Sequence, residues 1–405
     1  MPLKLKFKFT VSLFFGAFLL LSPICDLITG IFLTKLGMSE SFLGSPSQLL
    51  RLLFLFFGFY FSSKSQKNTT IKLFFWLFIL EIFSIFYTEN IKFVLVGLNY
   101  SMKIVYIYLL YCIMKRISNI DNGMEYIMNL FFNSAFLYSL GILIPTILGI
   151  GTSTYEGETF GQKGLYASGN ALGIYLGTSC SLIIIRKNKA FKEYIKTACL
   201  LISLLLLGTK TALLFIFVTC SLLFFKQKRT YIYLLLSCLV FIIFYYWNEI
   251  VRIFSLIFDV IIFRFQRSEN LFKFLLSGRD DYVSDAFYNF STSPFWLIKS
   301  IFGGGAFMSF RTEFTPYMTL DILEMDLFDI FFMYGFIGVL IYLFLCFYYL
   351  KKCSRNKILF LLLFLFIFHS IIAGHIIFDG LPVVAGIIII LLNNKDYQIK
   401  NKYLI

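Results

Sequence analysis

Apolar runs of about 17–25 residues recur through most of this chain, and that single feature leaves it few ways to fold. In hydrocarbon every backbone N–H and C=O must find a partner inside the protein, which restricts spanning segments to helices or a closed barrel. The runs are continuous rather than alternating, so helices are expected. They fall at about 9–33, 47–62, 71–88, 93–114, 124–150, 166–185, 192–207, 210–225, 231–250, 326–350, 357–373 and 376–393. The fold class is therefore an all-α polytopic membrane protein with about twelve transmembrane helices. Charged residues make up 14% of the chain, against roughly 25% in a soluble domain. The first run leads into Pro23, Cys25 and Asp26 without a small-residue cleavage pattern, so it reads as a span and not as a removable signal. The eight cysteines lie in or beside apolar runs, which indicates neither a disulfide framework nor a zinc site.

Basic residues set the orientation. With the N-terminus in the cytoplasm, the inner segments hold 23 Lys and Arg, from Lys4, Lys6 and Lys8 to Lys395, Lys400 and Lys402. The short outer segments hold four: Lys35, Lys92, Lys163 and Lys210. Such a split over short loops is the positive-inside pattern, and it puts both termini in the cytoplasm of a plasma (inner) membrane protein. It also accounts for the net charge of +14, so no nucleic-acid partner is implied. The domain organisation that follows is residues 1–250 with helices 1–9, an extracytoplasmic loop at 251–325, and residues 326–405 with helices 10–12.

The loop between helices 9 and 10 is the one long stretch that is not apolar, and a mixed-charge segment at a membrane face is where chemistry would sit. It carries Arg264, Arg267, Lys273, Arg279, Asp280, Asp281, Asp285, Asp321 and Glu324, and it runs into Asp326 and Asp329. Arg279 can hold a phosphate bidentately, or pair with Asp280 or Asp285 on a solvated helix. Asp280, Asp281 and Asp285 have no recognisable metal-ligand spacing. Asp326 and Asp329 share a helical face, and either can serve simply as a helix N-terminal cap. Glu324 lies two residues before a helix that starts at Asp326, so it is harder to read as a cap. Outside the loop, Arg51, Lys210, His369, His375, Asp379 and Asp26 fall in the outer half by this topology. Glu81 and Lys103 sit deeper, and a structural ion pair between them is the plainer reading. The Phe302-Gly303-Gly304-Gly305 run reads only as turn-forming glycine.

The order of these motifs resembles the O-antigen polymerase and O-antigen ligase superfamily of bacterial surface-polysaccharide enzymes. The features that carry the resemblance are about twelve spans, one long outer loop before the tenth, and Ser168-Gly169-Asn170-x-x-Gly173 entering the sixth. Gly208-Thr209-Lys210-Thr211-Ala212 at the eighth, Ser277-Gly278-Arg279 in the loop, and Glu324-x-Asp326-x-x-Asp329 before Tyr334-Gly335-x-x-Gly338 complete it, with Ala373-Gly374-His375 before the last span. The family often has Ser-Arg where this chain has Thr209-Lys210, and the ligase branch has His where this chain has Glu324. The Glu-x-Asp form resembles the polymerases.

The resemblance implies a donor and an acceptor that are both oligosaccharides on polyprenyl diphosphate, with membrane lipids around them and a chain-length regulator protein as a possible further partner. It implies inverting, metal-independent transfer with no cofactor. The diphosphate is already a good leaving group whose charge needs cations, and the acceptor hydroxyl needs a base. Glu324, Asp326 and Arg279 are the expected catalytic residues. Arg264, Arg267, Lys210, Arg51, Asn170, His375, Asp329 and Asp281 are the expected contacts to diphosphate and sugar. A ligase that transfers the chain to a lipid acceptor is the nearest alternative. A flippase for the same lipid would show short loops and repeat symmetry, and a non-catalytic assembly protein would tolerate loss of its carboxylates. The topology has a direct check: Ser291→Cys in a cysteine-free chain should react with an impermeant thiol reagent in intact cells. Protection until the cells are opened would overturn it.

Overall fold

The computed structural model describes residues 3–37, 45–83, 91–154, 161–186, 191–226, 273, 276, 278–306, 323–374 and 376–393. The expected ninth span at 231–250, the basic stripe Arg264 and Arg267, and His375 lie outside the described residues. The helices are α1 (Leu3–Lys35), α2 (Pro46–Phe61), α3 (Lys64–Phe83), α4 (Ile91–Ser118), α5 (Gly123–Ile147), α6 (Gly169–Ile185), α7 (Phe191–Leu207) and α8 (Lys210–Lys226). After them come α9 (Arg279–Thr292), α10 (Trp296–Phe302), α11 (Asp326–Cys353), α12 (Lys357–Ala373) and α13 (Gly380–Leu392). All but α9 and α10 coincide with expected apolar spans. Segments of α1 and α4, and the whole of α5 and α11, are long and apolar enough to cross a membrane, and α2, α6, α8, α12 and α13 are shorter apolar helices. The chain is a polytopic helical membrane protein.

The chain divides into two compact units, residues 1–131 with 276–400, and residues 132–275 with 401–405. In the second unit α6 and α8 run side by side, because Gly173 lies against Thr209 and Ala212 and Gly177 lies against the Phe215 ring. The matched order of these contacts makes the two helices parallel, so Asn170 and Lys210 stand at the same end of the unit. Buried hydroxyls tie its helices together: Ser139 to Ser203 at 2.8 Å, and Ser181 to Thr219 at 3.1 Å. A small antiparallel pairing of β1 (Thr152–Ser153) with β2 (Gln162–Gly164) closes the loop after α5.

In the first unit the decisive feature is a break inside α11. Gly335 has φ 67° and ψ −169°, a backbone region essentially reserved for glycine. The break takes carbonyls out of the helical ladder, and the glycine run supplies their donors. Gly304 N–H reaches Phe332 O at 3.1 Å and Gly305 N–H reaches Met333 O at 3.2 Å. The next N–H, of Ala306, is accepted by both carboxylate oxygens of Glu81 at 3.1 Å, and Ser101 Oγ donates to the same group at 2.9 Å. Glu81 is fully buried. Glu81 thus binds a backbone amide from the long loop, while Lys103 Nζ lies 4.3 Å from the centre of the Tyr100 ring. The glycines read from sequence as turn-formers are a docking strip.

That docking has no room for side chains. A Cβ on Gly335 would meet Ile301 O and Gly303 N, and one on Gly303 would meet Met333 O and Tyr334 Cα. Gly335→Ala should therefore lower stability by at least about 1–3 kcal/mol from backbone strain alone, read as a lower melting temperature in detergent. Gly386→Ala, where a Cβ would make ordinary contact with the Phe366 ring, should leave the melting temperature unchanged or raise it through helix propensity.

Candidate functional site

The loop's helix α9 packs along the first turns of α11 through aromatic rings. Phe287 and Phe290 both meet Phe332 edge-on, with centroids 5.0 and 5.2 Å apart. Val283, Ala286 and Phe290 are buried there with Leu323, Met325 and Phe332. This apolar face fixes the start of α9 beside the start of α11, and so brings Arg279 to Glu324, 45 residues away in sequence. Arg279 Nε donates to Glu324 Oε2 at 3.1 Å, Nη2 donates to the same oxygen, and Nη1 reaches Leu276 O at 3.4 Å. The ion pair considered for Arg279 with Asp280 or Asp285 is replaced by this long-range one. The Arg279 side chain is 11% exposed and that of Glu324 44%. The carboxylate faces outward and the guanidinium backs it.

Glu324 itself sits at φ 59°, a conformation uncommon for any residue but glycine. Asp329 holds it there. One oxygen of Asp329 accepts Leu323 N–H at 2.8 Å and the other accepts Met325 N–H at 3.3 Å, so a single buried carboxylate brackets Glu324 on both sides. This is a capping role displaced upstream, since it satisfies the two amides that flank the strained residue. Gly374 completes the fit, because a Cβ there would meet the Glu324 carbonyl and Met325 N.

Asp326 is also fully buried, and it turns toward the connection between α12 and α13. Its Oδ2 accepts from Ser370 Oγ at 2.5 Å and from the amides of Ile376 and Ile377, each at 3.2 Å. Tyr342 OH donates to Ser370 Oγ at 2.9 Å, extending the chain inward. Asp326 and Asp329, although three residues apart, thus serve different neighbours, and neither presents an open carboxylate.

The 374–380 turn gathers a further predicted residue. Asp379 caps α13 through Leu381 N–H at 3.2 Å. Arg51 of α2 lies 3.9 Å from Asp379 and 3.8 Å from Asp26 of α1. Gly380 lies under the Arg51 guanidinium, whose Nε would be 3.0 Å from a Cβ added there. Arg51 therefore ties three helices together beside two aspartates, an arrangement suited to structure more than to binding an anion. Asp281 is exposed on the first turn of α9, and His369 is buried on α12. In the second unit Asn170 and Lys210 are both partly exposed at their helix N-termini, and Thr209 Oγ1 caps α8 by accepting Ala212 N–H at 3.1 Å.

Sequence reasoning did not foresee the roles of Glu81, Gly303–Gly305, Ser370 and Gly374. The readable signal was the pairing of a three-glycine run with Tyr334-Gly335-x-x-Gly338, since two glycine clusters in one unit permit a close backbone approach.

The chain matches no individual curated protein. Residues 8–238, more than half of its length, match the family described as O-antigen ligase like membrane protein. The matched region covers α1 to α8 and ends before the Arg279–Glu324 pair. By that match and by its spans, this multi-pass helical membrane protein belongs to the O-antigen ligase like membrane protein family.

Proposed function

We propose that the chain is a polysaccharide polymerase of the plasma membrane. It would join polyprenyl-diphosphate-linked oligosaccharide repeat units at the outer leaflet by a single inverting displacement. The observation that carries the reading is the outward carboxylate of Glu324, held in a left-handed backbone against Arg279 at the mouth of α11. About twelve spans, cytoplasmic termini and an extracytoplasmic 251–325 segment belong to this proposal.

In the reaction, the acceptor hydroxyl oxygen forms a bond to the donor's anomeric carbon. The bond from that carbon to the diphosphate oxygen breaks, and polyprenyl diphosphate leaves with the electron pair. Glu324 takes the hydroxyl proton. Arg279 meets the diphosphate charge, and its fork geometry suits phosphate oxygens. Glu324 is 44% exposed, so solvent weakens the pair from that side, and an arriving diphosphate can compete for the guanidinium. The carboxylate is then relieved of its partner as the acceptor arrives. Asp326 and Asp329 are positioning residues in this scheme. Asp281 is retained as a contact to diphosphate or sugar beside Arg279.

A ligase that transfers the finished chain to a lipid acceptor is the second reading, favoured by the description of the matched family. Purified protein given one defined lipid-diphosphate oligosaccharide separates the two. A ladder of lengthening products marks a polymerase, whereas transfer only after a lipid acceptor is added marks a ligase.

Glu324→Gln keeps size and hydrogen bonding and should cut turnover about 10²–10⁴-fold, with single lipid-linked units accumulating in cells. Asp326→Asn should instead show its main effect as a lower melting temperature, because it weakens the grip on residues 376 and 377. Normal turnover in Glu324→Gln together with a stable, inactive Asp326→Asn would assign the base to Asp326.

Arg279→Ala should abolish polymer at unchanged membrane level. Arg279→Lys should restore little, since a point charge cannot reproduce the planar fork. Normal polymer length in Arg279→Ala would reduce this residue to a surface ion pair.

A further inference from the structure

The short helix α10 is built inside out for a loop in water. Its exposed side chains are Trp296, Leu297, Ile298, Ile301 and Phe302, at 45, 61, 52, 50 and 52%. Its one charged residue, Lys299, is 3% exposed and donates to Ser293 Oγ at 3.0 Å. A water-facing helix shows the opposite arrangement.

Its depth is set by the partner it docks on. Ile301 and Gly303 lie against Gly335, and Gly304 and Gly305 bond to Phe332 and Met333. Gly335 stands 16 residues before Lys351 on α11, which is about 24 Å along a helix. A hydrocarbon layer about 30 Å thick with one boundary at Lys351 and Lys352 therefore reaches past Gly335 by about 6 Å. The backbone is furnished for that depth. Gly303 N–H is accepted by Lys299 O at 2.7 Å, Gly304 and Gly305 by α11 carbonyls, and Ala306 by Glu81. Non-helical backbone at membrane depth requires such satisfaction.

We infer that residues 296–306 form a re-entrant element, entering the bilayer from the face opposite Lys351 and Lys352. Its outer surface of Leu297, Ile298, Ile301 and Phe302 lies against the acyl chains of that leaflet. The inference rests on the spans and on the docking geometry, and it is independent of the chemistry proposed at Glu324.

Nitroxide labels on Leu297→Cys, Ile298→Cys and Ile301→Cys test it, placed one at a time in a cysteine-free chain in lipid nanodiscs. Ser291→Cys, at an exposed position of α9, serves as the aqueous reference. Collisions with oxygen should exceed those with a water-soluble nickel chelate at the three α10 positions, with depths of about 5–10 Å below the phosphates. At Ser291 the chelate should win. Chelate access at all four positions would place α10 in water and overturn the inference. Protection of the α10 labels from both reagents would overturn it equally, by showing a second copy or another protein surface there. Should a cysteine variant fail to fold, native Trp296 gives the same reading in a Trp76→Phe, Trp247→Phe chain. Quenching by lipids brominated on their chains should exceed quenching by aqueous acrylamide, and the reverse order would sink the idea.

Discussion

A helix broken inside a membrane must have its freed carbonyls satisfied, and the rest of the first unit is arranged around that demand. Phe332 and Met333 are fully buried, and each unpaired backbone group away from water costs several kcal/mol. Gly335 makes the break, and Gly304 and Gly305 answer it from the long loop. The loop then has an amide of its own left over, at Ala306, which Glu81 accepts from α3. A buried carboxylate is costly unless its lone pairs are filled, and here a backbone amide and Ser101 fill them. The consequence reaches the other end of the loop. Once residues 303–306 are fixed on α11, α9 and α10 have a short tether, and the aromatic face of α9 must lie along the first turns of α11.

The same logic separates the three acids at the mouth of α11. Asp326 and Asp329 are withdrawn from solvent: Asp329 uses both oxygens on the amides of residues 323 and 325, and Asp326 uses Oδ2 on Ser370 and the amides of residues 376 and 377. Glu324 is the one with an exposed side chain, and its strained backbone persists because Asp329 grips both neighbours while Gly374 makes room. Strain held by surrounding structure is the mark of a residue whose direction matters. Burial, more than residue type, decides which carboxylate is available for proton transfer.

Much of this was legible in the sequence and some was not, for physical reasons. Helices stand where eleven apolar runs predicted them, because a run of this length has no other low-energy state in lipid. The helix does start at Asp326, so Glu324 precedes it by two residues, as the sequence suggested. The partner of Arg279 was not legible, since local spacing favours Asp280 and Asp285 while the actual contact depends on how α9 docks. Arg51 was legible as a cation in an apolar span, but the aspartates of two other helices that surround it are known only from packing. The glycine run was undervalued because a glycine's meaning lies in what approaches it, which no single segment records.

The motif resemblance sets Glu324 where a His is expected in the ligase branch, and the surroundings here suit a carboxylate. Arg279 supplies a permanent positive charge through two N–H groups on one oxygen, and an imidazole in that place would meet the guanidinium with no negative charge to offer. A His-bearing relative therefore needs a different resting partner for its cation, or none. Under the proposed reaction, a Glu-bearing chain can keep its guanidinium neutralised between turnovers and yield it to diphosphate when substrate arrives. In that reaction an exchange of Glu for His would be coupled to how the neighbouring cation is stored.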